Sequence, residues 1–337
     1  MSDLPFCCQT SLHRRAFVSH VTFALLAALS APAQSAEYPS RPLRMIVPYS
    51  PGGNADIMAR LVGQRLGENL GQQVVIDNRA GANGIIGTEL AAKSAADGYT
   101  LVLVASSFAT NPGLVKQLPY RTQSDLAPIS IVGSTPLLLA AHPALPAASV
   151  KELIALAAAK PGQLNYASSG NGSPANLAGA LLLAMTGINV VHVAYKGTAQ
   201  ATTDVLGGHV HMYFPSMTSA LPYVKSGRLK ALGITSLQRS PLAPEVATVS
   251  EAGVPGYQAS IWNGVLAPAA TARPIITRLN TELVRTLTST ETRERFAAAG
   301  ADIAHSTPDE FRAFIASEIT KWAKVIRESG MRVDLER

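Results

Sequence analysis

Two short stretches carry residues whose types and spacing suit anion binding: "PGGN" at residues 51–54 and "SSGNGSP" at 168–174. Each follows an apolar run and precedes a helix-like pattern. A turn of this kind leaves unpaired backbone N–H groups at a helix N-terminus, where the helix dipole also favours negative charge. In the first stretch Gly52 and Gly53 can take positive φ and let a ligand approach the backbone. Gly53 and the N–H groups of Asn54, Ala55 and Asp56 then face a ligand, with Asp56 read as a helix cap rather than a catalyst. The second stretch supplies the hydroxyls of Ser168 and Ser169 and the amides of Gly170, Asn171 and Gly172. Its Gly170–Ala175 segment fits the G-x-G-x-x-A form of the dinucleotide fingerprint, but the next strand ends in "VAYKG", with no acid for a ribose. There is no G-K-[ST] and no G-x-S-x-G, and no serine has an evident base. Neutral donors without a nucleophile suit a small carboxylate. Lys196 reads either as a contact to such an anion or as a solvated turn residue.

Other candidates are weaker. His209 and His211 share a face if they lie on one strand, but no third ligand is near and a solvated face is the simpler reading. His192 and His305 are isolated, and Trp262 and Trp322 read as core or hinge packing. The only cysteines, Cys7 and Cys8, lie within the first 36 residues. No metal and no cofactor is expected. Within that same segment Arg14 and Arg15 precede the apolar run from Ala16 to Leu29, with small-residue cleavage sites after Ala33 and Ala36. Residues 1–36 therefore read as an export signal, and the mature chain as periplasmic. "HRRAFV" leaves both the Sec and the twin-arginine routes open. The apolar stretch 131–148 is broken by Pro136, Pro143 and Pro146 and does not read as a membrane span.

The elements that must position these loops alternate. The chain has 337 residues, 47% of them hydrophobic and only 15% charged, and a net charge of +6 with no basic run. That is enough for two α/β units and gives no nucleic-acid footprint. Strands read at 43–48, "QVVIDNR" and "YTLVLVAS", separated by a helix from about Asp56 to Glu68, with Ile57, Leu61, Val62 and Leu66 on one side, and a second helix after "AGANG". "ISIVGSTPLLLAAHP" and "GYQASIWNGVLAPA" read as two extended passages between lobes. Between them lie a helix opened by Ser149 and Glu152, then strand and helix in alternation: "LNYAS", 174–186, "INVVHVAY", 198–206, "HVHMYF", 216–226, "RLKALGIT". Helices near 273–287, 290–299 and 308–328 close the chain, the last with Thr307 at its N-cap and Pro308 at N1. Strand–helix alternation gives parallel strands and a ligand cleft at their C-terminal ends.

Long motifs in order, among them "YPSRPLRMIVPYSPGGNADIMAR", "GQQVVIDNRAGANGIIGTELAAKSAADGYTLV", "KPGQLNYASSGNGSPANLAG", "VVHVAYKGTAQATTDVLGGHV" and "VSEAGVPGYQASIWNGVLAPA", resemble the Bug family of periplasmic solute receptors. These are the binding components of tripartite tricarboxylate transporters. The resemblance spans almost the whole chain beyond the signal. It implies an α/β, two-lobe type II periplasmic-binding-protein fold, the second lobe inserted in the first. The boundaries are 37–137 and 259–337 for lobe 1 and 138–258 for lobe 2. It also implies a carboxylate, aliphatic or aromatic, held by Gly53 to Asp56, Ser106–Ser107, Ser168 to Gly172, and Tyr195, Lys196 and Gly197. Pro215 stands where many relatives carry Asp, which speaks against an amino-acid ligand, and Phe108 suggests an apolar wall. The expected protein is a monomeric receptor that hands its ligand to membrane transporter subunits. The competing readings are a periplasmic hydrolase or isomerase using the same cleft and a sensor that docks a signalling protein.

Overall fold

The computed structural model describes residues 38–331 except 196. Residues 1–36, read above as an export signal and holding Cys7 and Cys8, and Lys196 lie outside the described residues. The chain divides into two units, Met1–Ser40 and Arg41–Arg337, and every element below belongs to the second.

In chain order these are β1 (Leu43–Val47), α1 (Asn54–Leu70), β2 (Val74–Asn78), a 3-10 turn (Ala82–Gly84), α2 (Ile85–Ala92), β3 (Thr100–Ala105), α3 (Ser107–Leu114), β4 (Leu126–Pro136), β5 (Leu138–Ala141) and α4 (Val150–Ala159). Then come β6 (Asn165–Ser168), α5 (Pro174–Thr186), β7 (Val191–Ala194), α6 (Thr198–Leu206), β8 (Met212–Tyr213), α7 (Met217–Lys225) and β9 (Lys230–Ile234). Last are β10 (Ser260–Pro268), α8 (Arg273–Thr288), α9 (Thr290–Ala298), β11 (Asp302–Ile303) and α10 (Pro308–Ser329).

Two sheets result, one of six strands in the order β11-β4-β10-β3-β1-β2 and one of five in the order β7-β6-β8-β5-β9. Every strand of the second falls in sequence between β4 and β10, so the second α/β unit is inserted in the first. The six-stranded unit is called lobe 1 and the five-stranded unit lobe 2. β1, β2 and β3 pair in parallel, as strand–helix alternation predicts. The sheets are nevertheless mixed. β10 runs antiparallel to both β3 and β4, and β5 antiparallel to both β8 and β9. The apolar passages between lobes are thus themselves paired strands, which satisfies their backbone groups as the chain crosses between the two cores.

The helices follow their local signals. Thr307 and Glu310 form a reciprocal capping box at the start of α10, with Pro308 at N1. Ser149 accepts from the Glu152 N–H, but the Glu152 carboxylate reaches back one residue further, to the N–H of Ala148. Gly71, at φ 68, ends α1. That helix buries Met58, Ala59, Val62 and Leu66, but Ile57, expected on the inner side, is exposed. The buried face of α1 is turned about one residue from the sequence reading, because its first turn packs through Ala55 and Asp56 instead.

α10 serves both lobes. Phe311 and Ile315 belong to the lobe-1 core with Trp262, whereas Trp322, Val325 and Ile326 join the lobe-2 core. Between those halves, the buried Glu318 carboxylate accepts from the indole N–H of both Trp262 and Trp322, each at 3.0 Å, and Lys321 neutralises it. The two tryptophans therefore pack at the junction, as their sequence positions suggest.

Candidate ligand-binding site

An open cavity of about 220 Å³ lies between the lobes, at the C-terminal ends of β1, β3 and β6. From lobe 1 it is lined by Tyr49, Gly53, Asn54 and Ala55, by Ser106 and Ser107, and by Asn83 and Thr110. Lobe 2 contributes Gly172, Pro174 and Leu177, and β10 contributes Ile261. No ionised side chain lines it among the described residues.

The lobe-1 wall is built from two helix N-termini. β1 feeds α1 and β3 feeds α3, and β1 and β3 are adjacent in the sheet. Of the two glycines before α1 only Gly52 takes positive φ, at 77°. Gly53 is extended, at φ −78°, and acts as N-cap without a side-chain bond. The N–H groups of Asn54, Ala55 and Asp56 meet no acceptor among the described residues; the first bonded amide of the helix is Ile57, to the Gly53 carbonyl at 3.0 Å. Asn54 Nδ2 donates to Thr135 Oγ1 at 2.8 Å, leaving its other amide atom buried and without a partner. Because the Thr135 hydroxyl can donate as well as accept, Asn54 can present either its oxygen or its NH2 to a ligand. Tyr49 ties the two helix starts together: its hydroxyl accepts from the Ala105 N–H at 3.0 Å and meets Ser107 Oγ at 2.7 Å.

Asp56 does not line the cavity. It is buried beneath the turn and accepts from the Gly52 N–H, Arg60 and Asn78. Burial alone raises its carboxyl, but those three donors and the Arg60 charge outweigh burial and hold it below the usual carboxylate range. It is a carboxylate that fixes the Gly52 turn, and not the helix cap expected from the sequence, because Gly53 is the N-cap and the first-turn amides stay free of it.

The lobe-2 loop is arranged differently. Gly172 lines the cavity at φ 74°, but its N–H donates to Asn176 Oδ1 at 2.9 Å. The Gly170 N–H goes to Ser168 Oγ at 3.1 Å. At the start of α5, Pro174 has no N–H, that of Ala175 meets no acceptor among the described residues but lies off the cavity lining, that of Asn176 goes to Ser173 Oγ, and that of Leu177 to the Ser173 carbonyl. Ser168, Ser169, Gly170, Asn171, Tyr195 and Gly197 do not line the cavity. Instead Asn176 Nδ2 donates to the Tyr166 hydroxyl at 3.1 Å, and Gly179 lies under the Tyr166 ring, where an added Cβ would meet a ring carbon at 2.2 Å. The Tyr195 hydroxyl donates to Asp204 at 2.6 Å; burial and that carboxylate push it up to about 12.

Ser168 Oγ lies 2.6 Å from His192 Nε2, a pairing that resembles a nucleophile and its base. Its setting is structural. Ser168 is fully buried, its hydroxyl is also held by the Gly170 N–H, and Tyr166 stacks on the imidazole, whose pKa burial lowers. Phe108 is buried against Tyr120 rather than walling the cavity, because α3 turns that side chain into the lobe-1 core. His209 and His211 lie outside β8, in the turn leading to it, so they share no strand face.

A profile described as tripartite tricarboxylate transporter family receptor matches residues 58–331. The chain belongs to this receptor family. Protein BugT of Bordetella pertussis is 44% identical over 313 residues, spanning 92% of this chain and 96% of that protein. Among solved structures, R. palustris Rpa4515 with adipate has 34% identity and a TM-score of 0.74, covering 88% of this chain and 99% of that one. MatC (Rpa3494) from Rhodopseudomonas palustris with bound malate has 30% identity and a TM-score of 0.70, covering 86% and 100%.

Within this receptor the sequence reading missed Tyr49, Asn83, Thr110, Thr135 and Asn263. Asn263 lies opposite Ala105 on β10, fully buried, with neither amide atom partnered among the described residues. An apolar strand with one asparagine, "SIWNGVLAPA", was the available signal; its register against "VAS" was not readable.

Proposed function

We propose that this chain is a periplasmic solute receptor that closes its two lobes on a small carboxylate and presents it to membrane transporter subunits. The observation that carries the reading is the pair of helix N-termini on lobe 1, with the amides of Asn54 and Ala55 unpaired at a cavity that has neutral lining. The carboxylate bound by the similar Rpa4515 and MatC supports the ligand class. Closure uses ligand contacts that exist only when both walls are near, which shifts an open–closed equilibrium. The extended crossings β4–β5 and β10, with the Glu318 bridge, are where the hinge lies. Lobe boundaries at 137/138 and 258/259 belong to the same reading, supported by β4 ending at Pro136 and β10 beginning at Ser260.

The protein is a receptor and not an enzyme: Ser168, which meets an imidazole among the described residues, is sealed in the fold. It acts as a monomer, and residues 1–36 are removed on export. The test is a thermal-shift panel of mono-, di- and tricarboxylates, with turnover of the same compounds followed in parallel. A ligand at 100 times its Kd stabilises by about 2.7 kcal/mol. Stabilisation by at least one free acid, lost in its amide and without turnover, is expected. Consumption of a panel compound, or no response to any acid, contradicts the reading.

A further inference from the structure

The cleft has two unlike walls, and the difference bears on which carboxylates fit. On lobe 1, the amides of Asn54 and Ala55 have no partner among the described residues, and Ser106, Ser107 and Thr110 add hydroxyls. On lobe 2, the corresponding helix start offers an anion less: the Ala175 amide also meets no acceptor among the described residues, but Ala175 does not line the cavity. Pro174 lacks an N–H and projects, exposed, at the first position of α5; the Gly172, Asn176 and Leu177 amides are already bonded within the chain. What faces the ligand there is the Pro174 ring, the Leu177 side chain and, from β10, Ile261.

Resting on the receptor reading above, we propose that the ligand is a monocarboxylate with an apolar body. Its carboxylate sits on the α1 and α3 N-termini of lobe 1, and its aliphatic or aromatic end packs against Pro174, Leu177 and Ile261. A second carboxylate at that end would be desolvated against apolar side chains with no donor to replace its water. An alkyl or aryl end is instead stabilised as the lobes close on it. Pro174 and Leu177 are then the residues that set the specificity, by withholding donors as much as by offering surface. This separates the chain from the adipate-bound and malate-bound proteins it resembles, both of which hold diacids.

Calorimetric titration with matched pairs tests this: hexanoate against adipate, and 4-methylbenzoate against terephthalate. The monoacid of at least one pair is expected to bind tenfold or more tightly than its diacid. Pro174→Lys keeps the exposed helix start and adds a cation, and should narrow that preference at least tenfold. Equal or tighter binding of the diacid in both pairs overturns the proposal while leaving the receptor reading intact. If Lys196→Ala then removes the diacid's advantage, a lysine holds the second carboxylate. Failure of all four acids, together with the wider panel, sinks the receptor reading and this inference with it.

Discussion

The α1 and α5 N-termini face the same cavity, follow the same kind of glycine turn and differ in where their amides go. In α1 the first-turn amides are left open, and the acid that could have capped them, Asp56, is turned under the loop to hold the Gly52 amide. In α5 a proline removes one amide, Ser173 takes a second, Asn176 reaches back to take that of Gly172, and the open Ala175 amide lies off the cavity lining. Similar sequence chemistry has been spent once on a ligand-ready pole and once on making a loop rigid. A glycine-rich helix start is therefore an anion site only when its own side chains leave the donors alone.

The comparison can be broken at four points. The largest effect is expected on stability, at Asn176. Asn176→Ala orphans the Gly172 amide and takes a donor from the Tyr166 hydroxyl, both buried, and should cost about 2–5 kcal/mol in urea unfolding. A cost below about 1 kcal/mol would mean the lobe-2 loop does not depend on this clamp. Next is Asn54→Pro, which gives α1 the proline that α5 already has. Gly53 is extended, so a proline can follow it without strain. Losing the backbone donor, a charge-assisted bond of about 1.5–3 kcal/mol, along with the side-chain amide that meets Thr135, should weaken carboxylate binding at least about 10-fold in calorimetry. Circular dichroism should be unchanged.

A smaller effect concerns pH. The folded carboxyl of Asp56 lies below its unfolded value, so its contribution is fully present above the unfolded pKa. That contribution is lost as pH falls through the folded pKa. Wild-type melting temperature should therefore fall on acidification below about pH 4, and Asp56→Asn should be less stable at neutral pH and lose less over that window. Parallel pH curves for the two proteins would show that the buried carboxylate does not hold the turn. The smallest effect is expected for Pro174→Ala, which restores an amide on lobe 2. Monoacid affinity should change less than about threefold, because that end of the ligand carries no charge to use it.

Much of this architecture was legible because it rests on local signals. The Thr307–Glu310 box, the Ser173–Pro174 helix start and Gly71 mark their helices through neighbours within four residues. α3 was not legible: "SSFATNPGL" carries Pro112 inside the helix's eight residues and has no element in the sequence reading, yet it places Ser106 and Ser107 at the cavity. Among the described residues, three of the four cavity segments named from sequence contribute: Gly53 to Ala55, Ser106–Ser107 and, through Gly172, the 168–172 loop. What sequence could not give was the fate of each amide. Asn54 meets Thr135, 81 positions away, and Tyr49 meets Ser107, 58 positions away. Such partners are set by how β1, β3 and β4 align in one sheet, not by any local pattern.

The central claim, that the carboxylate rests on the backbone of α1 and not on the lobe-2 loop, is most directly tested by amide NMR of the deuterated protein during titration with a bound monoacid. A carboxylate that accepts from a backbone N–H moves that proton downfield. The largest downfield shifts are predicted at Asn54 and Ala55, while Gly170 and Gly172, already bonded to Ser168 and Asn176, move little. Largest shifts at Gly170 and Gly172, with Asn54 and Ala55 unmoved, would contradict the account.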